Sequence, residues 1–325
     1  MKAWTIEDRA LVLRDHSPEA LGPESVRVRV RAIGVNRADL LQVLGRYPAP
    51  AGFSQAIPGL EFVGEVLECG ERALAWRTGE RVMGLIPGGA YAEQVVVHER
   101  ELLRVPDCNG KPLSDAEAAT LPEAFLTAYR ALFVEAGVQP GDWCLVRPAS
   151  AGVGLAAVQL CHALGARPIG SSRDPARLDN ARAFGLQAAV EEGPELAAAI
   201  TAATGGAGVR AVLDMVGPDW SALLPALQPE GCIALIGLLG GGRTELDLGM
   251  LLMRRQRLLG LTMRSQPLEQ RIRVAQWFNQ RLAPLFTAGR LQPLPLQDFA
   301  FAAVAEAHAH MRDDPFSGKR VLLLD

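Results

Sequence analysis

Trp143-Cys144-Leu145-Val146-Arg147-Pro148-Ala149-Ser150-Ala151-Gly152-Val153-Gly154-Leu155-Ala156-Ala157 is the stretch on which the fold turns. A short apolar run, Trp143 to Val146, leads into a loop, and the loop opens a predicted helix over Val153 to Leu164. Gly152, Gly154 and Ala157 fill a G-x-G-x-x-G/A template. The first glycine of that template permits the tight turn and the second lets the backbone approach a pyrophosphate. The small third residue packs helix on strand. A helix start also offers unpaired N–H groups and a positive dipole end to phosphate. Taken alone the pattern equally fits a plain helix-start turn, so its surroundings decide.

Downstream the chain alternates. Apolar runs at Trp143 to Val146, Arg167 to Gly170, Val209 to Met215, Gly231 to Ile236 and Leu258 to Met263 read as strands. Helical patterns at Val153 to Leu164, Pro175 to Phe184, Pro194 to Thr204 and Trp220 to Leu227 lie between them. That order demands right-handed crossovers and a parallel sheet covered on both faces, which makes the glycine loop a dinucleotide site. Upstream, Val26, Val28 and Val30 alternate with Arg27, Arg29 and Arg31. This is strand periodicity with one wet face, preferred over a phosphate-binding triplet. Further short strands between Gly- and Pro-rich turns predict a small, partly open β-barrel. Ser114-Asp115-Ala116-Glu117 predicts a helix start, and a helical pattern follows Pro122. A long helix is expected from Leu268 to Ala288. The run Arg320 to Leu324 reads as a strand returning to the first domain.

With 325 residues the chain suits two domains. The 33 Lys+Arg stand against 36 Asp+Glu, net −3, which excludes nucleic-acid binding by bulk charge. There is no apolar run long enough to span a bilayer and the start is no secretory signal, so a cytoplasmic chain without membrane attachment is expected. The five cysteines, at 69, 108, 144, 161 and 232, form no CxxC pair and cluster with no His. Neither a disulfide framework nor a structural zinc site is expected.

The end of the second strand distinguishes NAD from NADP, because an acid there binds the ribose 2′-hydroxyl and a cation accommodates a 2′-phosphate. The chain reads Gly170-Ser171-Ser172-Arg173-Asp174-Pro175-Ala176-Arg177. Ser171, Ser172, Arg173 and Arg177 suit a phosphate. Asp174 is the rival, read here as the cap of the next helix. The expected cofactor is NADPH, with a solvated helix position as the alternative for Arg177.

Asn36-Arg37-Ala38-Asp39-Leu40-Leu41-Gln42, Pro58-Gly59-Leu60-Glu61-Phe62-Val63-Gly64-Glu65-Val66, Leu85-Ile86-Pro87-Gly88-Gly89-Ala90-Tyr91-Ala92-Glu93, Ala118-Ala119-Thr120-Leu121-Pro122-Glu123 and Leu126-Thr127-Ala128-Tyr129 occur in that order before the glycine loop. Together they resemble the zinc-free, zeta-crystallin-like quinone oxidoreductase branch of the medium-chain dehydrogenase/reductase superfamily, and are most similar to its stress-inducible subgroup. The resemblance implies an α/β protein with a GroES-like β-rich catalytic domain plus a Rossmann domain with a doubly wound parallel sheet. The GroES-like part would take residues 1–118, completed by 286–325, and the Rossmann part 119–285. It further implies a cleft between them, NADPH as hydride donor, a homodimer, and a quinone or enone as small-molecule electrophile.

Zinc-dependent members carry a Cys early in the barrel and a Gly-His-Glu motif after a Pro. Here the matching stretches read Gly34-Val35-Asn36-Arg37-Ala38-Asp39 and Gly59-Leu60-Glu61, without Cys or His. Lacking a Lewis acid, the protein needs a substrate that is already electrophilic. The resemblance places Asn36, Tyr47 and Thr127 at the nicotinamide end and Gly152, Val153 and Gly154 at the pyrophosphate. Ser171, Arg173 and Arg177 fall at the adenosine phosphate, and Gly237, Leu238, Leu239 and Gly240 at the carboxamide. Met263-Arg264-Ser265 and Ser317-Gly318-Lys319 edge the cleft, with Lys319 a cofactor contact. Structural alternatives exist: a loop Asn for Asn36, a turn aromatic for Tyr47, a hydroxyl bonded within its helix for Thr127, an exposed strand-start cation for Lys319. Ala151, Arg147 and Glu192 depart from the subgroup, and Glu192 adds a negative charge near the expected phosphate. Rival functions are an enone or enoyl-thioester reductase and an NADPH-binding sensor or structural protein without turnover.

Overall fold

The structure, a computed structural model, describes every residue except Pro315, Asp325 and the side chain of Pro175. The chain forms two compact units, residues 1–123 with 263–325, and residues 124–262.

In the first unit the alternation at 25–31 sets the sheet. Val26, Val28 and Val30 are buried, and each such side chain withdrawn from water contributes about 1.5–3 kcal/mol. The arginines between them face outward, Arg27 pairing with Glu68 at 3.2 Å and Arg31 with Glu65 at 3.6 Å. The triplet is therefore an outward strand face, with Arg27 and Arg31 ion-paired and Arg29 exposed. The strand Ser25–Val35 serves three partners in a seven-stranded sheet. Glu61–Cys69 runs antiparallel along one edge. On the other edge, its first half pairs with Gln94–His98 and its last residues with Lys319–Leu323. The final strand thus joins the sheet begun near the N-terminus. The helical run beginning at Leu268–Trp277 and continuing through Phe278–Leu282 and Ala283–Thr287 also lies in this unit. The sequence assignment had placed residues up to 285 in the other domain. Its buried face, with Ile272, Phe278, Leu282 and Phe286, explains the placement.

The second unit holds a six-stranded, wholly parallel sheet. In space the strands run Ala188–Glu191, Arg167–Ser172, Trp143–Arg147, Val209–Asp214, Leu227–Leu235, Arg257–Gly260. The first and fourth strands of the unit are neighbours, with Arg147 beside Asp214. This is the point where strand order reverses, and in such sheets ligands bind beyond the strand ends there. Of the helical segments expected, Pro175 to Phe184 divides into a 3₁₀ turn, Pro175–Leu178, and a short helix, Asp179–Ala183. Trp220 to Leu227 breaks similarly, where Pro225 cannot continue an α-helix.

Candidate functional site

In the second unit the helix Gly152–Ala163 follows the strand Trp143–Arg147. Its N-cap, Ala151, is extended and gives no side-chain cap. The first bond into the helix runs from the Leu155 N–H to the Ala151 carbonyl, 2.8 Å. The N–H groups of Gly152, Val153 and Gly154 therefore stand at the helix mouth without intrahelical acceptors. Gly154 is required by a close approach: a Cβ there would lie 2.3 Å from the Pro148 carbonyl oxygen. The helix start is thus pressed onto its own loop, a packing task the template assigns to its third position. Ala157 is fully buried.

Beyond the strand ends lies a buried ionic cluster. Arg147, at 3% exposure, gives its Nε to both carboxylate oxygens of Glu192, each at 3.0 Å. Its Nη1 donates to the Pro218 carbonyl at 3.0 Å and lies 3.7 Å from Asp214. Ser171, fully buried at the end of the second strand, donates its hydroxyl to Glu192 at 2.5 Å. Asp214 accepts from the Trp220 indole at 2.6 Å and from the Val216 N–H at 2.8 Å. Asp174 takes the Ala176 N–H at 3.0 Å and caps the following turn, as its place before Pro175 predicts. Arg173 is exposed and Arg177 half-buried in that turn. Beyond the strand Leu227–Leu235, Leu239 and Gly240 donate to the carbonyls of Met215 and Val216, at 3.0 and 2.8 Å. Gly237 is half-buried, and the Leu238 and Leu239 side chains are open to solvent. Thr127 is buried in the helix Pro122–Tyr129.

The first unit gathers a second polar cluster. Gly34 lacks a Cβ where one would meet the Glu61 carboxylate at 2.2 Å, so Glu61 folds over the backbone of Ser25–Val35. Lys319, buried at 3% exposure, binds Glu61 and donates to Asn36 Oδ1 at 2.7 Å. The amide of Asn36 donates to Glu61 at 2.8 Å and to the Gly34 carbonyl at 3.2 Å. Glu61 also accepts the Glu123 N–H at 2.8 Å, and Glu123 Oε2 lies 4.0 Å from Lys319. Lys319 is thus the centre of a buried knot and not an exposed strand-start cation; its neighbouring acids raise its pKa against the lowering effect of burial. Asn36 has its amide fixed at both ends.

Next to this knot, Asp39 Oδ2 accepts the Asn36 N–H at 2.8 Å and the Tyr91 hydroxyl at 3.3 Å, which itself lies 2.9 Å from His308 Nε2. Burial raises Asp39 to about 7 and lowers His308 to about 4. Arg264 donates to the carbonyls of Pro87 and Tyr47, at 2.5 and 2.7 Å, binds Gln42, and lies 5.1 Å over the Tyr47 ring. Burial raises the Tyr47 phenol above its ordinary range, so it keeps its proton at neutral pH. The motifs around Asn36, Glu61 and Arg264 were legible one by one. That Lys319 binds two of them, and that Asp39 and Arg147 are buried ionisable groups, had no signal at their spacing.

Two family models match the chain: an alcohol dehydrogenase GroES-like domain over residues 22–107 and a zinc-binding dehydrogenase over residues 152–279. Quinone oxidoreductase-like protein 2 of Bos taurus is 31% identical over 332 residues, 97% of this chain and 90% of that one. The pikromycin polyketide synthase component PikAII of Streptomyces venezuelae is 33% identical over 318 residues, 95% of this chain but 8% of that protein. Among solved structures, the quinone oxidoreductase of Pseudomonas syringae pv. Tomato DC3000 superposes with a TM-score of 0.87 at 28% identity, covering 99% of both chains. The zinc named by one model does not suit the residues here. Asn36 and Leu60 replace thiolate and imidazole, and Glu61 already holds an ammonium. Among the described residues no three His, Cys, Asp or Glu side chains converge as metal ligands.

Proposed function

This chain belongs to the medium-chain dehydrogenase/reductase superfamily of nicotinamide-dependent oxidoreductases, and from that premise we propose that it is an NADPH-dependent, metal-independent quinone oxidoreductase. The observation that carries the reading is the knot at Asn36, Glu61 and Lys319: where a metal-binding relative needs soft donors, this chain has built in its own cation. With no Lewis acid to polarise an isolated carbonyl, the substrate must already accept hydride readily, as a quinone does. Its quinone oxidoreductase relatives support the same class.

A bound reduced nicotinamide supplies the hydride. The open N–H groups of Gly152, Val153 and Gly154 hold the pyrophosphate, helped by the helix dipole. Ser171, Arg173 and Arg177 form the adenosine-phosphate side, and the backbone of Gly237, Leu238, Leu239 and Gly240 holds the carboxamide. Asn36, with its amide fixed, and Thr127 line the nicotinamide end. Tyr47 keeps its phenolic proton and donates a hydrogen bond to the oxyanion that forms on the substrate. The protein works chiefly by positioning and by excluding water. It acts in the cytoplasm, without membrane or nucleic-acid partners, as a homodimer.

A second reading, reduction of an activated C=C bond in an enone or enoyl thioester, is favoured by the match to a segment of a polyketide synthase component. The test is NADPH oxidation by the purified protein with a quinone panel beside a 2-enoyl-CoA panel. Quinone turnover is expected. Turnover of the thioesters alone would establish the second reading, and tight NADPH binding with neither would make the protein a sensor or structural component.

A further inference from the structure

We propose that Glu192 sets the coenzyme preference of this site, withholding the Ser171 hydroxyl from a 2′-phosphate and placing negative charge beside it, so that NADPH is only weakly favoured over NADH. The inference rests on the coenzyme reading above and deepens it. In a doubly wound sheet the group at the end of the second strand chooses between ribose hydroxyl and ribose phosphate. Along the chain that group is a Ser-Ser-Arg run followed by Asp174, and Asp174 is engaged in capping its own turn. In space the end of the second strand carries another acid, delivered from just past the neighbouring strand Ala188–Glu191.

Ser171 has a single hydroxyl proton, and it goes to Glu192. Fully buried and with that proton engaged, the hydroxyl has none left to donate to a phosphate oxygen. Glu192 does not swing away freely, because Arg147 grips both of its oxygens. Nor does Arg147 cancel the local charge. It faces Asp214 as well, so two carboxylates share one guanidinium and the cluster is formally −1. The cluster is largely withdrawn from solvent, with Glu192 at 12% and Arg147 at 4% side-chain exposure, so its field is weakly screened. Attraction for the phosphate falls to Arg173 and Arg177, and Arg173 is exposed and therefore screened.

The experiment is titration of the purified full chain with NADPH and with NADH, following protein fluorescence, for wild type, Glu192→Gln and Ser171→Ala. Glu192→Gln keeps the shape, removes the charge and loosens the hold on the Ser171 proton, because an amide oxygen is a weaker acceptor than a carboxylate. It is expected to tighten NADPH about tenfold while NADH stays within about twofold. Equal shifts for both coenzymes, or none, would overturn the proposal. Ser171→Ala removes no charge from the buried cluster and reports independently should Glu192→Gln fold poorly. With the hydroxyl proton already engaged, both affinities are expected to move together, and a selective loss of NADPH binding would overturn the proposal. A wild type that binds neither coenzyme would overturn the underlying coenzyme reading, and this proposal with it, an outcome distinct from binding with an unaltered preference.

Discussion

Asp39 and His308 sit on either side of the Tyr91 hydroxyl, and burial pushes each toward its neutral form. Their effects on stability have opposite signs. Asp39 rises from 3.8 to about 7 on folding, so the stability it contributes is complete below 3.8 and is lost as pH rises through 7. His308 falls from 6.5 to about 4, so its contribution is complete above 6.5 and is lost as pH falls through 4. Each amounts to something on the order of 3 kcal/mol, and between pH 4 and 6.5 the two slopes oppose. Asp39→Asn should therefore leave the His308 slope bare, with stability rising across that window more steeply than in wild type. His308→Gln should show the reverse. Urea unfolding at a series of pH values measures this, and curves parallel to wild type would refute it. Nothing in the sequence marked this pair. Asp39 and His308 are 269 positions apart, and only the folding of Tyr91 between them makes them neighbours. The donor types at Asn36 and Leu60, by contrast, are readable residue by residue, because they do not depend on where the side chains point.

At the scale of the element, the glycine loop was legible because its demand is local. A helix start pressed on its own loop tolerates no side chain at Gly154, whatever the rest of the chain does. Gly154→Ala should cost about 1–3 kcal/mol through overpacking against the Pro148 carbonyl, and should weaken coenzyme binding by displacing the helix mouth. Thermal unfolding and coenzyme titration on the same sample check both effects. An alanine variant with unchanged stability and affinity would show that the loop yields freely and that its geometry is not the binding determinant. The strand Ala188–Glu191 was harder to read. Its Ala-Ala-Val-Glu run is short and only Val190 is well buried, as suits an edge strand with one partner. Periodicity fails there because a strand at the margin of a sheet has little core to face. Yet this strand delivers Glu192, on which the coenzyme preference turns.

For the whole molecule, alternation of strands and helices was enough to give the parallel sheet, but the unit limits depend on where a helix buries its apolar face. The run from Leu268 has a pattern that suits either sheet; its packing placed it with the first unit. The same limit applies to association, since an exposed apolar face is invisible until the fold shows it unpartnered. The strand Arg257–Gly260 is the outer edge of the six-stranded sheet and, among the described residues, pairs only with Leu227–Leu235. Just before it, the helix Leu248–Met253 exposes Leu248, Leu252 and Met253 at 67%, 75% and 77%. An open strand edge beside a cluster of bare apolar side chains is unfavourable in water and is relieved when a second copy covers both. This supports the proposed homodimer through the second unit. Light scattering on the eluting protein should give twice the 34.8 kDa chain mass. Leu252→Glu with Met253→Glu, which places charge on the exposed face without touching the core, should give a folded monomer. A wild type that runs as a monomer at micromolar concentration, or a double variant that stays dimeric, would sink this assignment of the surface.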